Sequence, residues 1–379
     1  MLAGRASAQG TARYAARFMH PGVEGSLQQT ASPLHFRTAL GLTLSSIGCG
    51  TYLGELSDQV DGRYAESLKA AVRSGANLLD TAANYRAQRS EIALGRAVCE
   101  LVNSGELSRE ELAICSKGGF IAYHLERPDD PLQYVYERFI ATGVAEPGDL
   151  AGGIHCMTPD YLSQQIAWSL RNLGLRTLDV YYVHNPETQL SFVERATFRN
   201  RIQLAFARLE EEVTAGRIGC YGVATWEGLR APPTSPSYMN LEILLQLAAE
   251  VGGPGHHLRV VQFPLSVSLP SAATFRNQPV RGKLQTLMAA CVEFGLTVVT
   301  SASLGQAQFS GRLPGVLLEQ FPQLSTDAVR ALQFTRSVPG VTTALVGMSR
   351  IEHVRANLEL AKRPPEPERA AKLAQTLTR

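Results

Sequence analysis

The chain of 379 residues has no long apolar run, no excess of either charge and no paired cysteines, and each absence removes a class of protein. No stretch approaches the ~18 uninterrupted apolar residues that a membrane-spanning helix needs. The formal net charge of +2 leaves no electrostatic footprint for nucleic acid or for an anionic membrane surface. Six cysteines (Cys49, Cys99, Cys115, Cys156, Cys220 and Cys291) are scattered without a CxxC pair. Three of them fall inside apolar runs, where Cys behaves as a small hydrophobe. The pattern reads as a reducing, cytoplasmic compartment with no disulfide framework and no structural zinc. "HCM" at 155–157 and "GHH" at 255–257 have no partners at metal-ligand spacing and read as loop histidines. The first twenty residues hold no acid and are rich in Arg and Ala, the composition of an organellar transit peptide; the alternative is an N-terminal arm lying over the domain.

What is present is an ordinary globular composition, 45% apolar and 18% charged, with a strong rhythm. Eight short β-branched runs recur at 42–50, 76–82, 111–119, 177–185, 217–225, 258–266, 296–303 and 342–349, each separated by a helix-length segment. "YAESLKAAVRSG" places Leu68, Ala71 and Val72 on one helical face and stops at Gly75. "TPDYLSQQIAWSLRNLG" opens with Thr158 as N-cap and Pro159 at the first helical position, and ends at Gly174. Strand and helix alternating eight times predict a (β/α)8 barrel of the TIM type over 38–362, with an N-terminal arm over 1–37 and a polar, Pro-rich tail over 363–379. The competing architecture is a doubly wound sheet. Its dinucleotide fingerprint is only approached, in "GCGTYLG" at 48–54, where the third glycine comes one residue late and no helix follows. Three long segments follow strands, at 120–157, 226–238 and 266–283. They read as long loops crowning the face where barrel enzymes keep their sites.

The polar residues that end the apolar runs are candidates for that mouth. They are Asp80 with Tyr85 five residues on, Lys117, His184 with Asn185, and Gln262. A phenol with its pKa near ~10 gives up its proton poorly at neutral pH. A lysine ammonium ~4 Å away, at an effective dielectric near 20, favours the phenolate by about 4 kcal/mol and brings Tyr85 toward the range of a general acid. Asp80 would keep Lys117 charged, and His184 would donate to a carbonyl oxygen as negative charge develops. Such a group polarises a carbonyl and delivers a proton but holds no source of hydride, so a nicotinamide cofactor is the economical complement.

With these residues in place the chain resembles the aldo-keto reductases from about Leu40 to Leu360. Asp80, Tyr85, Lys117 and the "HNP" of His184–Pro186 match that family's catalytic pattern in order and spacing. The resemblance implies an NAD(P)-dependent barrel oxidoreductase acting on an aldehyde, ketone or sugar, with Asp80, Tyr85, Lys117 and His184 catalytic. It further implies cofactor contacts from Gly50, Thr51, Asn185, Thr225, Gln262, Ser301, Leu304, Gln306, Gly347, Met348, Ser349, His353 and Asn357. Tyr52, Tyr123 and Trp226 are the substrate candidates. The chain departs from the family where Ala224-Thr225 replaces Ser-Asn, where Ser301 replaces a stacking tyrosine, and where His353 replaces a phosphate-gripping arginine. Because a neutral His is a poorer phosphate ligand than Arg, NADP(H) over NAD(H) rests on the family default alone. "YRAQRSE" is longer than the usual link, with Glu91 filling the family's helical acid. The expected partner is a small carbonyl or alcohol. The competing class is a non-catalytic barrel that binds nicotinamide nucleotide and reports redox state to a partner.

Overall fold

The structure is a computed structural model, and it describes residues 1–19, 31–305 and 315–377. Eight strands close into a barrel: β3 (Ile47–Gly50), β4 (Leu78–Asp80), β5 (Ala113–Gly118), β6 (Leu178–His184), β7 (Ile218–Ala224), β8 (Leu258–Pro264), β11 (Thr297–Ser301) and β12 (Val341–Gly347). Every neighbouring pair is parallel, and β12 closes against β3 with Ala344 opposite Ile47 and Gly347 opposite Gly50. Each of the eight expected runs supplies one barrel strand. The inward-facing side chains, among them Leu78, Ala113, Val180, Val260 and Val299, fill the interior. A larger apolar layer lies between the strands and the surrounding helices.

The first run does more than expected. It breaks at Ser46 into two strands, because Ser45 turns its hydroxyl to the Ile47 carbonyl and receives the Asn77 side chain on its N–H. Its first half, β2 (Leu42–Ser45), pairs antiparallel with β1 (Phe36–Ala39) through a two-residue turn. Leu40 (φ 56°) and Gly41 (φ 69°) are both left-handed there, as the twist of such a hairpin requires. Leu40, Leu42 and Leu44 pack onto the interior cluster, so the hairpin caps the N-terminal end of the barrel.

The helices follow their sequence signals. The helix Asp58–Arg73 takes Ser57 as a capping side chain and buries Leu68, Ala71 and Val72; Gly75 then supplies the left-handed exit at φ 102°. The helix Pro159–Leu173 starts after Thr158, whose hydroxyl makes no capping bond, and ends on left-handed Gly174.

Four segments read as arm, loops or tail carry structure. The N-terminal segment contains the helix Ala8–Met19, which buries Tyr14, Ala15 and Phe18 and pairs Arg13 and Arg17 with buried Glu111. The segment 120–157 contains the helix Pro131–Val135, continues into a π-turn over Tyr136–Ile140, and packs Phe139 into a small core with Tyr161 and Trp168 of the helix that follows. The segment 266–283 forms the turn of helix Ser271–Thr274 and most of a hairpin, β9 (Arg276–Val280) with β10 (Lys283–Thr286). After Lys362, the helix Pro367–Thr376 buries Ala370, Leu373 and Ala374 rather than trailing as a polar tail. No helix of the described residues is long and apolar enough to cross a membrane.

Candidate active site

Asp80 and His184 are the last residues of their strands, Lys117 comes one residue before the end of β5, and Gln262 stands opposite Ala224 across β7 and β8. The barrel's register brings them to one mouth. Lys117, fully buried, donates to Asp80 Oδ1 and, at 2.8 Å, to the Thr81 carbonyl. Gln262 Nε2 donates to Asp80 Oδ2 at 2.8 Å, so both carboxylate oxygens accept. Burial pushes Asp80 up, while Lys117 and Gln262 pull it down. An acid whose two oxygens both accept from fixed donors is an ionised one. Burial also opposes the charge on Lys117, but Asp80 and Tyr85 outweigh it and hold the ammonium above its ordinary value. The pair is an ion pair sealed from water.

Tyr85 lies above it. The Lys117 ammonium sits 4.8 Å from the Tyr85 ring centroid, and the ring packs edge-on to Tyr52 at 5.0 Å and to His184 at 5.6 Å. The net direction of the phenol differs from the sequence argument. Burial pushes Tyr85 up and outweighs the downward pull of Lys117, so Tyr85 rests protonated even though its ring is partly exposed. His184 is held well below its ordinary value by burial and by Lys117, and is neutral. Its Nδ1 is buried without a hydrogen-bond partner.

The residues that hold this group were not legible as such. Arg86, Ala87 and Gln88 follow Tyr85 with φ of 49°, 52° and 70°, three consecutive left-handed residues without a glycine. Such a run is strained and needs outside anchors. Arg86 donates to the Glu55 carbonyl at 2.8 and 3.0 Å and to Asp61 at 2.5 Å, and lies over the Tyr64 ring. Gln88 donates to the Tyr123 carbonyl at 2.9 Å and accepts from Asn172; Arg89 reaches the Leu125 carbonyl at 2.8 Å and Asp61 at 2.6 Å. The extra length in "YRAQRSE" is therefore a knot that ties the loops after β3 and β5 to the residue bearing the phenol. Glu91 does sit in the helix that follows, fully buried, accepting from Ser116 at 2.6 Å and Asn172 at 2.8 Å.

Two further residues were passed over. His155 lies in the loop after β5, as read, but is fully buried there, its Nε2 2.7 Å from the His184 carbonyl and its Nδ1 3.0 Å from Gln189 Nε2. Glu187 takes three backbone N–H groups on one oxygen, from Trp226 at 2.7 Å, Glu227 at 3.1 Å and Gly228 at 3.3 Å. The "HNPE" run carried a signal for Glu187, since an acid just past a strand end has few neighbours but the adjacent loop.

Of the cofactor candidates, Gly50 ends β3 and Thr51 is buried with its hydroxyl donating to the Asp80 carbonyl at 3.3 Å. Asn185 is left-handed (φ 45°), and its N–H donates to the Ala224 carbonyl at 2.6 Å. Thr225 is buried with an unpartnered hydroxyl, beside Gln262, whose carbonyl accepts its N–H at 2.8 Å. Ser301 ends β11, Leu304 is partly buried against the core, and Gln306 lies outside the described residues. Gly347 ends β12; Met348 is buried and Ser349 partly so. The helix Ile351–Leu358 follows, its N-terminus without a side-chain cap, carrying exposed His353 and Arg355 and buried Asn357, with Arg350 exposed just before it. Among the substrate candidates, Tyr52 contacts Tyr85, and Trp226 is exposed on the turn that Glu187 holds. Tyr123 packs instead on Tyr134, 5.3 Å away.

An unpartnered buried hydroxyl at Thr225, after β7, and an uncapped helix N-terminus after β12, three strands round the mouth, fit the two ends of an extended dinucleotide, an amide and an anion. The profile of the Aldo/keto reductase family matches residues 46–231, so the segments around Gln262, Ser301 and Ile351–Leu358 lie beyond it. A stretch of 151 residues, 38% of this chain, is 26% identical to the NADH-specific methylglyoxal reductase of Escherichia coli (strain K12). The chain spans about two fifths (39%) of that relative's length. An aldo/keto reductase from Klebsiella pneumoniae, solved with NADP and acetate, superposes with a TM-score of 0.61 at 18% identity, over 91% of this chain and 96% of that one. The holo form of an aldo-keto reductase from Bacillus halodurans gives 0.59 at 18%, over the same shares. At such identity the two structures speak for the fold. Profile, barrel and strand-end residues agree, and residues 46–231 carry the likeness to the aldo/keto reductase family.

Proposed function

We propose that the chain is an NAD(P)(H)-dependent oxidoreductase that interconverts a small carbonyl compound and its alcohol, with Tyr85 as the proton donor and acceptor. The observation that carries this reading is the buried Asp80–Lys117 ion pair set beneath the Tyr85 ring. A bound nicotinamide nucleotide supplies or takes the hydride. Every other part of the chemistry belongs to side chains of the chain.

Neutral His184 can donate one N–H to a carbonyl oxygen, and protonated Tyr85 can donate its phenol. Both therefore polarise the carbonyl without carrying charge of their own. As negative charge builds on that oxygen, the proton passes from the phenol, and the Lys117 ammonium stabilises the phenolate left behind. Asp80 keeps Lys117 protonated through this step, and Gln262 keeps Asp80 aimed at it. Tyr85 remains protonated until the substrate oxygen demands the proton, consistent with the upward push of burial on the free phenol. For the nucleotide, Thr225 would meet the carboxamide and the N-terminus of helix Ile351–Leu358, with His353, would meet a phosphate. Both NADH and NADPH are candidates. The Escherichia coli relative is named for NADH and the Klebsiella structure holds NADP.

The test is oxidation of NADPH and of NADH by the whole protein with a panel of reactive aldehydes, methylglyoxal included, for wild type and Tyr85→Phe. Turnover in the wild type and its collapse in the variant is the expected result. Tight nucleotide binding with no turnover on any carbonyl or alcohol would overturn the enzyme reading and leave a barrel that only binds nucleotide. Equal activity in Tyr85→Phe would overturn the proton donor.

A further inference from the structure

The long excursion over 120–157 comes back to the point where it left the barrel. β5 ends at Gly118, whose partner on β6 is Val183, so the ladder between the two strands stops one residue short of His184. The returning chain takes over there. Phe120 and His155 form an antiparallel bridge, flanked by the Ile121 N–H on the Ile154 carbonyl and the Cys156 N–H on the Gly119 carbonyl, both at 2.8 Å. That bridge sets His155 Nε2 2.7 Å from the His184 carbonyl. Gly119 makes the approach possible: at φ 142°, a Cβ there would fall 2.7 Å from His155 Nε2 and 2.9 Å from the His184 oxygen.

Burial pushes His155 down to about 4, so its ring is neutral and holds one proton. Two side chains decide where that proton sits. Arg201, on the helix Arg195–Thr214, has only donors, and its Nη1 donates to Gln189 Oε1 at 2.5 Å. That turns the Gln189 amide nitrogen, itself a donor, to His155 Nδ1 at 3.0 Å. Nδ1 must then accept, which leaves the proton on Nε2, directed at the His184 carbonyl. Arg201 is fixed in turn by the Gly148 carbonyl at 2.6 Å, within the same excursion. On the other side, the Asn185 N–H donates to the Ala224 carbonyl at 2.6 Å. The peptide that follows His184 is therefore held at both ends, its oxygen by the excursion and its N–H by β7. The Phe120 ring packs edge-on to His155 and to His184, at 5.2 Å from each. The His184 Nδ1 has no partner of its own, so the direction of that ring comes from its backbone and its packing.

We propose that His155 is a positioning residue: its Nε2–H fixes the peptide after His184 and so aims the His184 ring at the substrate oxygen, with Gln189 and Arg201 choosing its tautomer. This rests on the reading of His184 as a donor to the carbonyl. NMR of the whole protein labelled in its histidine nitrogens tests the clamp without turnover. His155, identified by loss of its signals in His155→Leu, should carry its proton on Nε2. The His184 signals, identified through His184→Phe, should move in His155→Leu and stay in place in His155→Gln, whose amide N–H can reach the same carbonyl. A proton on His155 Nδ1, or an unmoved His184 ring in His155→Leu, overturns the proposal. Kinetics give the second readout, since a reacting group misplaced by about 1 Å loses on the order of 10²-fold in rate. His155→Leu should lower kcat for aldehyde reduction by about tenfold or more, with KM and NADPH affinity within about twofold, and His155→Gln should recover most of the loss. Equal kcat in all three proteins overturns the proposal; so does a joint fall of kcat and nucleotide affinity without recovery in His155→Gln, which leaves a role in packing alone. Where His155→Leu does not fold, Gln189→Met takes its place: freeing the tautomer should move the His184 signals, and their constancy counts against the clamp. A wild type that reduces no carbonyl overturns the function proposed above, and the NMR result then decides the clamp by itself.

Discussion

The ammonium of Lys117 is shared between two demands: it donates to Asp80 and lies 4.8 Å from the centre of the Tyr85 ring. One cation thus holds a permanent anion below and awaits a transient one above. Removing Lys117 alone would leave Asp80 buried without its partner, which typically costs about 3–5 kcal/mol. Lys117→Met should therefore lose both stability and turnover. The double variant Asp80→Asn/Lys117→Met should recover most of the stability and none of the turnover, as read by urea denaturation beside the aldehyde assay. Recovery of both together would show that the pair is structural only.

The knot after Tyr85 gives a second expectation. Ala87 sits at φ 52°, where an L-residue is disfavoured by about 1–2 kcal/mol and glycine is not. Ala87→Gly should be stability-neutral or better, because relief of strain offsets the added freedom of the unfolded chain. Ala87→Val should be destabilised, since a β-branched residue fits this conformation worst. Thermal melts of the two variants decide it; equal losses in both would mean the left-handed run is not strained.

Cofactor choice is testable at one exposed position. If the helix Ile351–Leu358 receives a phosphate, His353→Arg replaces an imidazole with a guanidinium that can bind it bidentately. Affinity for NADPH should rise by about tenfold with that for NADH unchanged, measured by quenching of intrinsic fluorescence. A parallel gain for both nucleotides would place a phosphate common to them at this helix instead.

Stability should fall below neutral pH because buried histidines stay neutral in the folded chain. His35 is buried, its Nε2 3.0 Å from the Gly75 carbonyl, and burial with the nearby Arg336 guanidinium pushes it down to about 3. His155 is pushed down to about 4 by burial. Both stay neutral in the folded chain, while the unfolded chain takes up protons near the ordinary value of about 6.5. Their stabilisation is therefore complete above pH 6.5 and is lost as pH falls toward 4, at up to about 1.4 kcal/mol per pH unit for each. His35→Gln should flatten that slope by one histidine's share in urea titrations at pH 7, 6 and 5. An unchanged slope would remove His35 as a cause.

The barrel and its reactive corner were legible because they obey short-range rules. A parallel strand buried on both faces reads as an apolar run, and a residue such as Asp80 or His184 where that run stops must stand at an end. What could not be read was anything held by one long-range contact. Ser45 and Ser46 look like strand residues until Asn77 claims the Ser45 backbone and the run splits. Tyr14 and Phe18 look like part of an arm until the Val72 carbonyl accepts the Tyr14 hydroxyl. The phenol of Tyr85 was expected to be drawn down by a lysine, an argument from one pair of charges. Its actual direction depends on how much water the surrounding side chains exclude, which no spacing rule encodes. His155 is held by the His184 carbonyl, and a backbone acceptor leaves no mark in a sequence; Glu187 was marked by its place after the strand, but the backbone N–H groups it accepts from were not.

The seam between β3 and β12 has a consequence for how the protein is made. Ile47–Gly50 must wait for Val341–Gly347, nearly three hundred residues later, before its open side is paired. Thr343 then donates to the Ser45 carbonyl at 2.7 Å, and Arg37 reaches the Val341 and Arg336 carbonyls, so the weld is also polar. During synthesis the first strand thus presents a bare edge for most of the time the ribosome is at work, the arrangement most open to mispairing with another nascent copy. Yield in a heterologous host should accordingly respond more to slower expression and chaperone supply than to any change at the reactive corner.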